Sequence, residues 1–235
     1  MPGQKNKARV EQAPPAHLAV IGVGASSGGL DAAAKLMDAL PTGTGLALIL
    51  VQHLDAGHAS MMVPLLARHT TLHVLEATEG MRIEPEHLYI IPPGSYLAVQ
   101  GGTLHLSKPP ARHGARLPFD FLLTSLAACY GRQAGCVILS GTGADGSAGL
   151  LAISAAGGPV IAQEPNEAAY DGMPRAAIET GKVDRVLPVA KIPQALTTFR
   201  PTAKPDAKPV ATPQPRSARS GRSSTPTWSR SSPRT

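Results

Sequence analysis

The sequence predicts an α/β fold: a doubly wound, mostly parallel sheet flanked by helices, with a small antiparallel excursion around residues 72–106. Continuous apolar runs rich in Val, Ile and Leu alternate with segments of helical periodicity. Such runs are typical of parallel strands that are buried on both faces. Between residues 72 and 106 the runs are shorter and are separated by Pro92-Pro93-Gly94 and Gly101-Gly102, which are typical turn sequences.

Each predicted element follows from its own stretch of this pattern. The first predicted strand is followed by a helix, whose buried face is marked by apolar residues at helical spacing: Leu30, Ala33, Ala34, Met37 and Leu40. Ser60 can cap a second helix that runs to Arg68. The predicted strands are residues 18–23, 46–51, 87–91, 96–100, 103–106, 136–140, 159–163 and 186–189. The later predicted helices are residues 119–130, 147–156 and 174–180.

Composition divides the chain into a core and two tails. Residues 201–235 consist mainly of Pro, Ser, Thr, Ala and Arg, and residues 1–17 are polar and basic. Neither tail can bury enough apolar surface to offset the entropy of ordering, so we expect both tails to be disordered. We expect residues 18–200 to form one domain, which is long enough for a sizeable core. Residues 201–235 hold seven basic residues and one acidic residue, whereas residues 18–200 hold 12 basic and 14 acidic ones. The basic tail is most simply a solvated linker, and we expect no nucleic-acid binding by the core.

The cysteine content and the hydropathy predict a protein of the cytoplasm. Cys129 and Cys136 lack the spacing of a zinc site, and two buried thiols suit a reducing compartment. No apolar run reaches the length of a membrane span, and the amino terminus has no signal-peptide core.

The end of the first strand carries the most reactive pattern in the chain. Gly24-Ala25-Ser26-Ser27-Gly28 fits G-x-S-x-G, in which a serine occupies a tight turn between a strand and a helix. The helix start would direct free N–H groups toward a developing oxyanion. The same turn could instead bind a phosphate, with Asp55 as the ribose ligand of a nucleotide-binding domain, or bind nothing. The dinucleotide fingerprint G-x-G-x-x-G fails at its sixth position, which is Ser27.

Three side chains with complementary chemistry follow three predicted strands. Ser26 follows the first strand, His53 the second, and Asp145 lies in the glycine-rich loop after residues 136–140. Because parallel strands end at one edge of the sheet, these residues supply a nucleophile, a base and a carboxylate to one place. The order Ser, His, Asp differs from that of α/β-hydrolases and therefore argues against that fold.

Each candidate also has a plainer interpretation. His53 could be a strand-end histidine bonded to the backbone, and His58 is the nearest alternative base. Asp145 could cap the helix that follows it. Ser27 could replace Ser26, although only Ser26 stands at the centre of the motif.

The chain resembles the catalytic domain of the chemotaxis protein-glutamate methylesterases, the CheB type, over about residues 18–196. The resemblance rests on four motifs: Gly24-Ala-Ser-Ser-Gly-Gly29, Gln52-His53, Gly141-Thr-Gly-Ala-Asp-Gly146 and Asp171-Gly-Met-Pro-Arg175. It implies a triad of Ser26, His53 and Asp145 that hydrolyses glutamate methyl esters on the cytoplasmic domain of methyl-accepting chemoreceptors. Some members also deamidate glutamine. The resemblance implies neither a metal ion nor an organic cofactor.

The resemblance also assigns the surroundings of the triad. Backbone N–H groups near Ser27 and Gly28 are expected to form the oxyanion site, and Thr142 and Met173 to line the cleft. Thr142 stands where many members have methionine. Well-known members carry a receiver domain before the esterase, and the segment before the first strand is too short for one. We therefore expect no regulation in cis, or a separate response regulator; a methyltransferase is a further candidate partner. A receptor-binding module without catalysis is the remaining alternative.

Overall fold

The structure is a computed structural model, and it describes residues 18–52, 61–108 and 117–198. The strands are β1 (Val20–Ala25), β2 (Ala47–Gln52), β3 (His73–Glu76), β4 (His87–Ile90), β5 (Tyr96–Gln100), β6 (Thr103–Ser107), β7 (Ala134–Ile138), β8 (Val160–Gln163) and β9 (Arg185–Leu187). The helices are α1 (Gly29–Asp38), α2 (Met62–Leu66), α3 (Pro118–Tyr130), α4 (Gly149–Ala155), α5 (Gly172–Glu179) and α6 (Ile192–Thr198).

The described residues form a seven-stranded parallel sheet in the order β3-β4-β2-β1-β7-β8-β9, beside the antiparallel pair β5-β6. From β1 the chain passes to β2, then to the edge strand β3 and back to β4, which lies between β3 and β2; it later returns to β7 on the other side of β1. The winding direction therefore reverses between β1 and β7. In doubly wound sheets, ligands bind beyond the carboxyl ends of the strands at such a switch point.

Two apolar layers cover the sheet, because successive side chains of a strand point to opposite faces. Val20 of β1 and Ile138 of β7 lie in one layer with residues of α3, α4, α5 and the β5-β6 hairpin. Ile21 of β1 and Val137 of β7 lie in the other layer with residues of α1, α2 and α6. The strands next to the switch point are thus buried on both faces, as their continuous apolar runs predict.

The predicted fold class is confirmed, with one redistribution of strands. Of the described segment 72–106, only β5 and β6 form an antiparallel pair of strands, and Arg82 adds one isolated antiparallel bridge to Thr103. The strand predicted at 87–91 pairs parallel with β2 and belongs to the main sheet, and it also pairs with β3, which the sequence did not predict. The helix α6 was not predicted either.

Several other predictions concern parts of the chain outside the described residues. Ser60 is one of them, and the described part of its predicted helix is α2, Met62–Leu66. The two tails also lie outside, so the division into domains stays a prediction. In the described ranges no helix is long and apolar enough to cross a membrane. Cys136 is buried, Cys129 is half-buried, and both thiols are free.

Candidate active site

Ser26 occupies a tight turn between β1 and α1. Its N–H donates to the carbonyl oxygen of Ser140 at 3.0 Å, and its carbonyl accepts from the N–H of Gly29 at 2.8 Å. Gly28 precedes α1 with φ of 70°, in the left-handed region that side chains disfavour. A Cβ at Gly28 would also lie 2.8 Å from the Cβ of Ala169. The backbone conformation and the close contact with Ala169 therefore both require glycine at position 28. In this turn Ser26 is partly exposed.

The start of α1 presents backbone donors next to Ser26. The N–H groups of Ser26 and Gly29 are hydrogen-bonded, whereas those of Ser27 and Gly28 have no acceptor among the residues that the structure describes. Free N–H groups at the amino end of a helix, together with its dipole, stabilise negative charge. These two groups are the donors that the sequence predicts for an oxyanion.

Gly22 and Gly24 allow α3 to pack on the backbone of β1. A Cβ at Gly24 would overlap the ring of Phe119 and lie 2.9 Å from its Cγ, and a Cβ at Gly22 would lie 2.9 Å from Cδ2 of Leu123. Both glycines lie inside the strand. In a dinucleotide fingerprint they would instead form the turn that approaches the pyrophosphate. The packing of α3 therefore speaks against the nucleotide-binding alternative, whose Asp55 lies outside the described residues.

Asp145 is buried, with 4 % of its surface exposed, in the loop between β7 and α4. Its Oδ2 accepts from the N–H of Phe119 and its Oδ1 from the N–H of Asp120, both at 3.0 Å. These donors belong to the first turn of α3, which begins with Pro118 and so needs no acceptor at its first position. The Asp145 carboxylate thus caps α3, whereas the sequence suggested the helix that follows it; the residue before α4, Ala148, makes no side-chain cap.

Asp120 of α3 in turn binds the start of α4, the helix that follows the Asp145 loop. Its Oδ1 accepts from the N–H of Gly149, the first residue of α4, at 2.6 Å. Burial raises the pKa of Asp120, and the nearby carboxylate of Asp145 raises it further, while the bond from Gly149 opposes the shift. Two carboxylates therefore hold this loop against α3: Asp145 of the loop binds the start of α3, and Asp120 of α3 binds the start of α4, where the loop ends.

Ser140 connects three loops at the switch point. Its side chain is almost fully buried; the hydroxyl donates to the carbonyl of Ser27 at 2.9 Å and accepts from the N–H of Tyr170 at 3.0 Å. Its N–H donates to Oε1 of the buried Gln163 at 2.7 Å. The sequence analysis did not identify Ser140, because its side-chain partners lie 113 and 30 residues away. Only its place directly before the glycine-rich loop could have drawn attention to it.

Met173 lies next to the turn that carries Ser26, and Thr142 lies at the surface of the loop after β7. Gly141 separates Met173 from Ser26: a Cβ at Gly141 would overlap the Met173 sulfur and lie 2.9 Å from the Ser26 Cβ. Met173 is buried and Thr142 is exposed, and a Cβ at Gly172 would lie 3.4 Å from the Thr142 Cα. Both predicted cleft residues are thus close to the loop after β7.

The segment that follows β8 begins its helix earlier than predicted. α5 starts at Gly172, so Pro174 is its third residue and not its first. Asp171 stands before the helix, and its carboxylate accepts from Nε of Arg175 at 2.5 Å. That hydrogen bond lowers the pKa of Asp171. Both side chains are about half exposed.

The structure brings two of the three predicted triad residues to the same edge of the sheet. Ser26 follows β1 and Asp145 follows β7, the two strands that flank the switch point. The ring of Phe119 lies against the end of β1 and against the loop after β7, because it would meet a Cβ at Gly24 or at Gly146. His53 and its alternative His58 lie outside the described residues, and the position of the base stays a prediction. Within the described ranges no three His, Cys, Asp or Glu residues converge as metal ligands.

Comparisons with known proteins agree on one relationship. A family model described as CheB methylesterase matches residues 21–196. The catalytic domain of the CheB methylesterase of Thermotoga maritima superposes with a TM-score of 0.72 at 32% identity, over 77% of this chain and 98% of that domain.

Curated relatives extend the comparison to longer proteins. Protein-glutamate methylesterase/protein-glutamine glutaminase 3 of Myxococcus xanthus is 36% identical over 86% of this chain and 58% of its own length. The protein-glutamate methylesterase/protein-glutamine glutaminase of Pyrococcus abyssi is 35% identical over 82% of this chain and 53% of its own length. The chain thus spans about half the length of these curated relatives.

Proposed function

Because the chain belongs to the CheB methylesterase family, we propose that it is a serine hydrolase that demethylates glutamate γ-methyl esters of chemoreceptors. The observation that carries this proposal is the placement of Ser26 after β1 and of Asp145 after β7, the two strands that flank the switch point. Ser26 lies in a turn beside two backbone N–H groups that have no acceptor among the described residues, and Asp145 is buried and held by two N–H groups. This arrangement supports acyl transfer better than ligand binding alone.

The reaction would proceed through an acyl-enzyme. Ser26 Oγ attacks the ester carbonyl while His53 accepts its proton, and Asp145 keeps the imidazole in the required tautomer. The N–H groups of Ser27 and Gly28 stabilise the tetrahedral oxyanion, an effect of about 3–4 kcal/mol for a well-placed donor. The methoxide leaves as methanol after protonation by His53, and water then releases the free glutamate and Ser26.

The same acyl-enzyme would form from a glutamine side chain, with ammonia as the leaving group. The names of the relatives from Myxococcus xanthus and Pyrococcus abyssi join both activities. We place the reaction in the cytoplasm, on the cytoplasmic domain of a methyl-accepting chemoreceptor, in chemotaxis adaptation or a related signalling pathway. A separate response regulator or a methyltransferase would be the partner that adjusts it.

The test compares methanol release from a methylated chemoreceptor fragment by the wild type and by Ser26→Ala. We expect the variant to lose roughly 10⁴–10⁶-fold in rate, because removing the nucleophile disables the whole triad. Ser154→Ala is the matched control, since Ser154 lies in α4 and lines a groove with Pro159 and Asp184, residues that adjoin the amino ends of β8 and β9. Equal rates for the wild type and Ser26→Ala would refute the mechanism.

A fluorophosphonate probe separates the remaining alternatives without a receptor. Such a probe labels an activated serine, so the wild type should be labelled at Ser26 and the Ser26→Ala variant should not. A receptor-binding module without catalysis would bind the receptor fragment and remain unlabelled. A nucleotide-binding domain would remain unlabelled and bind NAD saturably.

A further inference from the structure

We propose that Ser140 is a positioning residue that sets the direction of the backbone donors of the catalytic turn; this inference rests on the proposed function. The Ser140 side chain is 1 % exposed and has no access to substrate. Its hydroxyl nevertheless holds the turn that carries Ser26, through the carbonyl of Ser27 at 2.9 Å. It acts on the reaction through that carbonyl.

The planarity of the peptide bond gives this contact a consequence for the oxyanion site. The carbonyl of Ser27 and the N–H of Gly28 belong to one peptide unit, and no peptide bond among the described residues is cis. In a planar trans peptide the C=O and the N–H point in opposite directions. The hydroxyl that fixes the Ser27 carbonyl therefore also fixes the direction of the Gly28 N–H.

Three backbone groups surround the Ser140 hydroxyl and restrict its orientation. The N–H of Tyr170 donates to the hydroxyl oxygen at 3.0 Å, and of the two carbonyl oxygens within reach of the single hydroxyl hydrogen, that of Ser27 at 2.9 Å is nearer than that of Tyr170 at 3.3 Å. The backbone of Ser140 is fixed on both sides, because its N–H donates to Gln163 and its carbonyl accepts from the N–H of Ser26 at 3.0 Å. One residue thus links the nucleophile, the oxyanion donors and the loop after β8.

Replacing the hydroxyl leaves the two backbone bonds of Ser140 in place. Ser140→Ala should therefore fold, and the peptide between Ser27 and Gly28 should lose its fixed direction. Loss of a whole oxyanion donor lowers kcat about 10²–10³-fold, so a loosened donor should lower it by about 10- to 100-fold. KM should change little, because the donor acts on the transition state more than on the bound ester.

The matched control is Ser125→Ala. The hydroxyl of Ser125 also makes two backbone bonds, to the carbonyl of Leu122 at 2.8 Å and from the N–H of Val99 at 3.0 Å. The bond from Val99 joins β5 to α3, and the bond to Leu122 lies within α3; neither involves a residue of the turn of Ser26. Ser125→Ala should lose comparable stability and keep kcat within about two-fold of the wild type.

The experiment measures the rate and the end point of fluorophosphonate labelling, and kcat and KM for methanol release from the receptor fragment. The proposal is supported if Ser140→Ala labels to the wild-type end point at a rate lowered by about ten-fold or more, and if Ser140→Thr restores most of that rate. If Ser140→Ala does not fold, Ser140→Cys is read by the same criterion, because a thiol keeps the shape but donates weakly.

Three results would overturn it: an unchanged labelling rate, a lower end point with an unchanged rate, or equal losses in the Ser140 and Ser125 variants. A wild type that is neither labelled nor active on the receptor fragment would instead refute the proposed function, so the two failures are distinguishable.

Discussion

Replacing Asp145 by Asn should destabilise the fold in addition to stopping catalysis. The buried carboxylate accepts from two N–H groups of α3 at 3.0 Å. An amide has one oxygen, so it can keep only one of these bonds, and its NH₂ group must face the other donor. A hydrogen bond to a charged group contributes about 1.5–3 kcal/mol, and an unpaired buried donor adds a penalty. We expect the free energy of unfolding to fall by about 2–4 kcal/mol, or Tm by roughly 5–15 °C for a domain of this size.

Urea and thermal unfolding, followed by circular dichroism, measure this loss. The matched control is Asp184→Asn, because Asp184 accepts from a single backbone donor, the N–H of Val160, at 2.8 Å. An asparagine oxygen can keep that one bond, so the control should change the free energy of unfolding by less than about 1 kcal/mol. If Asp145→Asn unfolds like the wild type, the carboxylate does not support α3 and its role is confined to the reaction.

Two further substitutions test the packing and the titration of the same region. Gly24→Ala should lower the free energy of unfolding, measured by urea unfolding, by about 1–3 kcal/mol, because the added Cβ would overlap the ring of Phe119. Phe119→Leu in the same chain should recover part of the loss. Additive effects of the two substitutions would contradict a clash between these residues. Asp120 has a pKa above its ordinary 3.8 in the fold, so its contribution to stability is fully present below that value and is lost as pH rises through the raised pKa. Unfolding measured across the acidic range should therefore show the wild type losing stability relative to Asp120→Asn as pH rises, and parallel curves would contradict the raised pKa.

The arrangement of the central strands could be predicted because it is encoded locally. β1 and β7 have no polar side chain, and β2 and β8 are apolar up to a glutamine at the last position, as burial on both faces requires. β3 gives no such signal: His73–Glu76 is a short edge strand whose side chains are mostly exposed. β4 is flanked by turn residues like those of the hairpin, so its register with β2 depends on the completed sheet.

In the candidate site, too, the features that depend on neighbouring residues could be predicted from the sequence, and those that depend on distant residues could not. Ser26 could be placed because the turn needs small residues at fixed spacing, and Asp145 because its loop follows a strand. The helix that Asp145 caps could not be predicted, since its donors are 25 and 26 residues earlier. The reason for a glycine at position 24 could not be predicted either, because the side chain that leaves no room for a Cβ there, Phe119, belongs to α3.

The contacts of Asp145 with the start of α3 and of Asp120 with the start of α4 couple Asp145, the proposed triad carboxylate, to local unfolding. Asp145 can leave its position only when the amides of Phe119 and Asp120 lose their acceptors, and release of Asp120 frees the amide of Gly149. These three amide protons should therefore exchange with solvent as one cooperative unit. Heating that opens this unit removes the oriented carboxylate while the rest of the sheet remains folded. The enzyme would then lose activity at the temperature at which the starts of α3 and α4 unfold, which would be lower than the Tm of the whole domain.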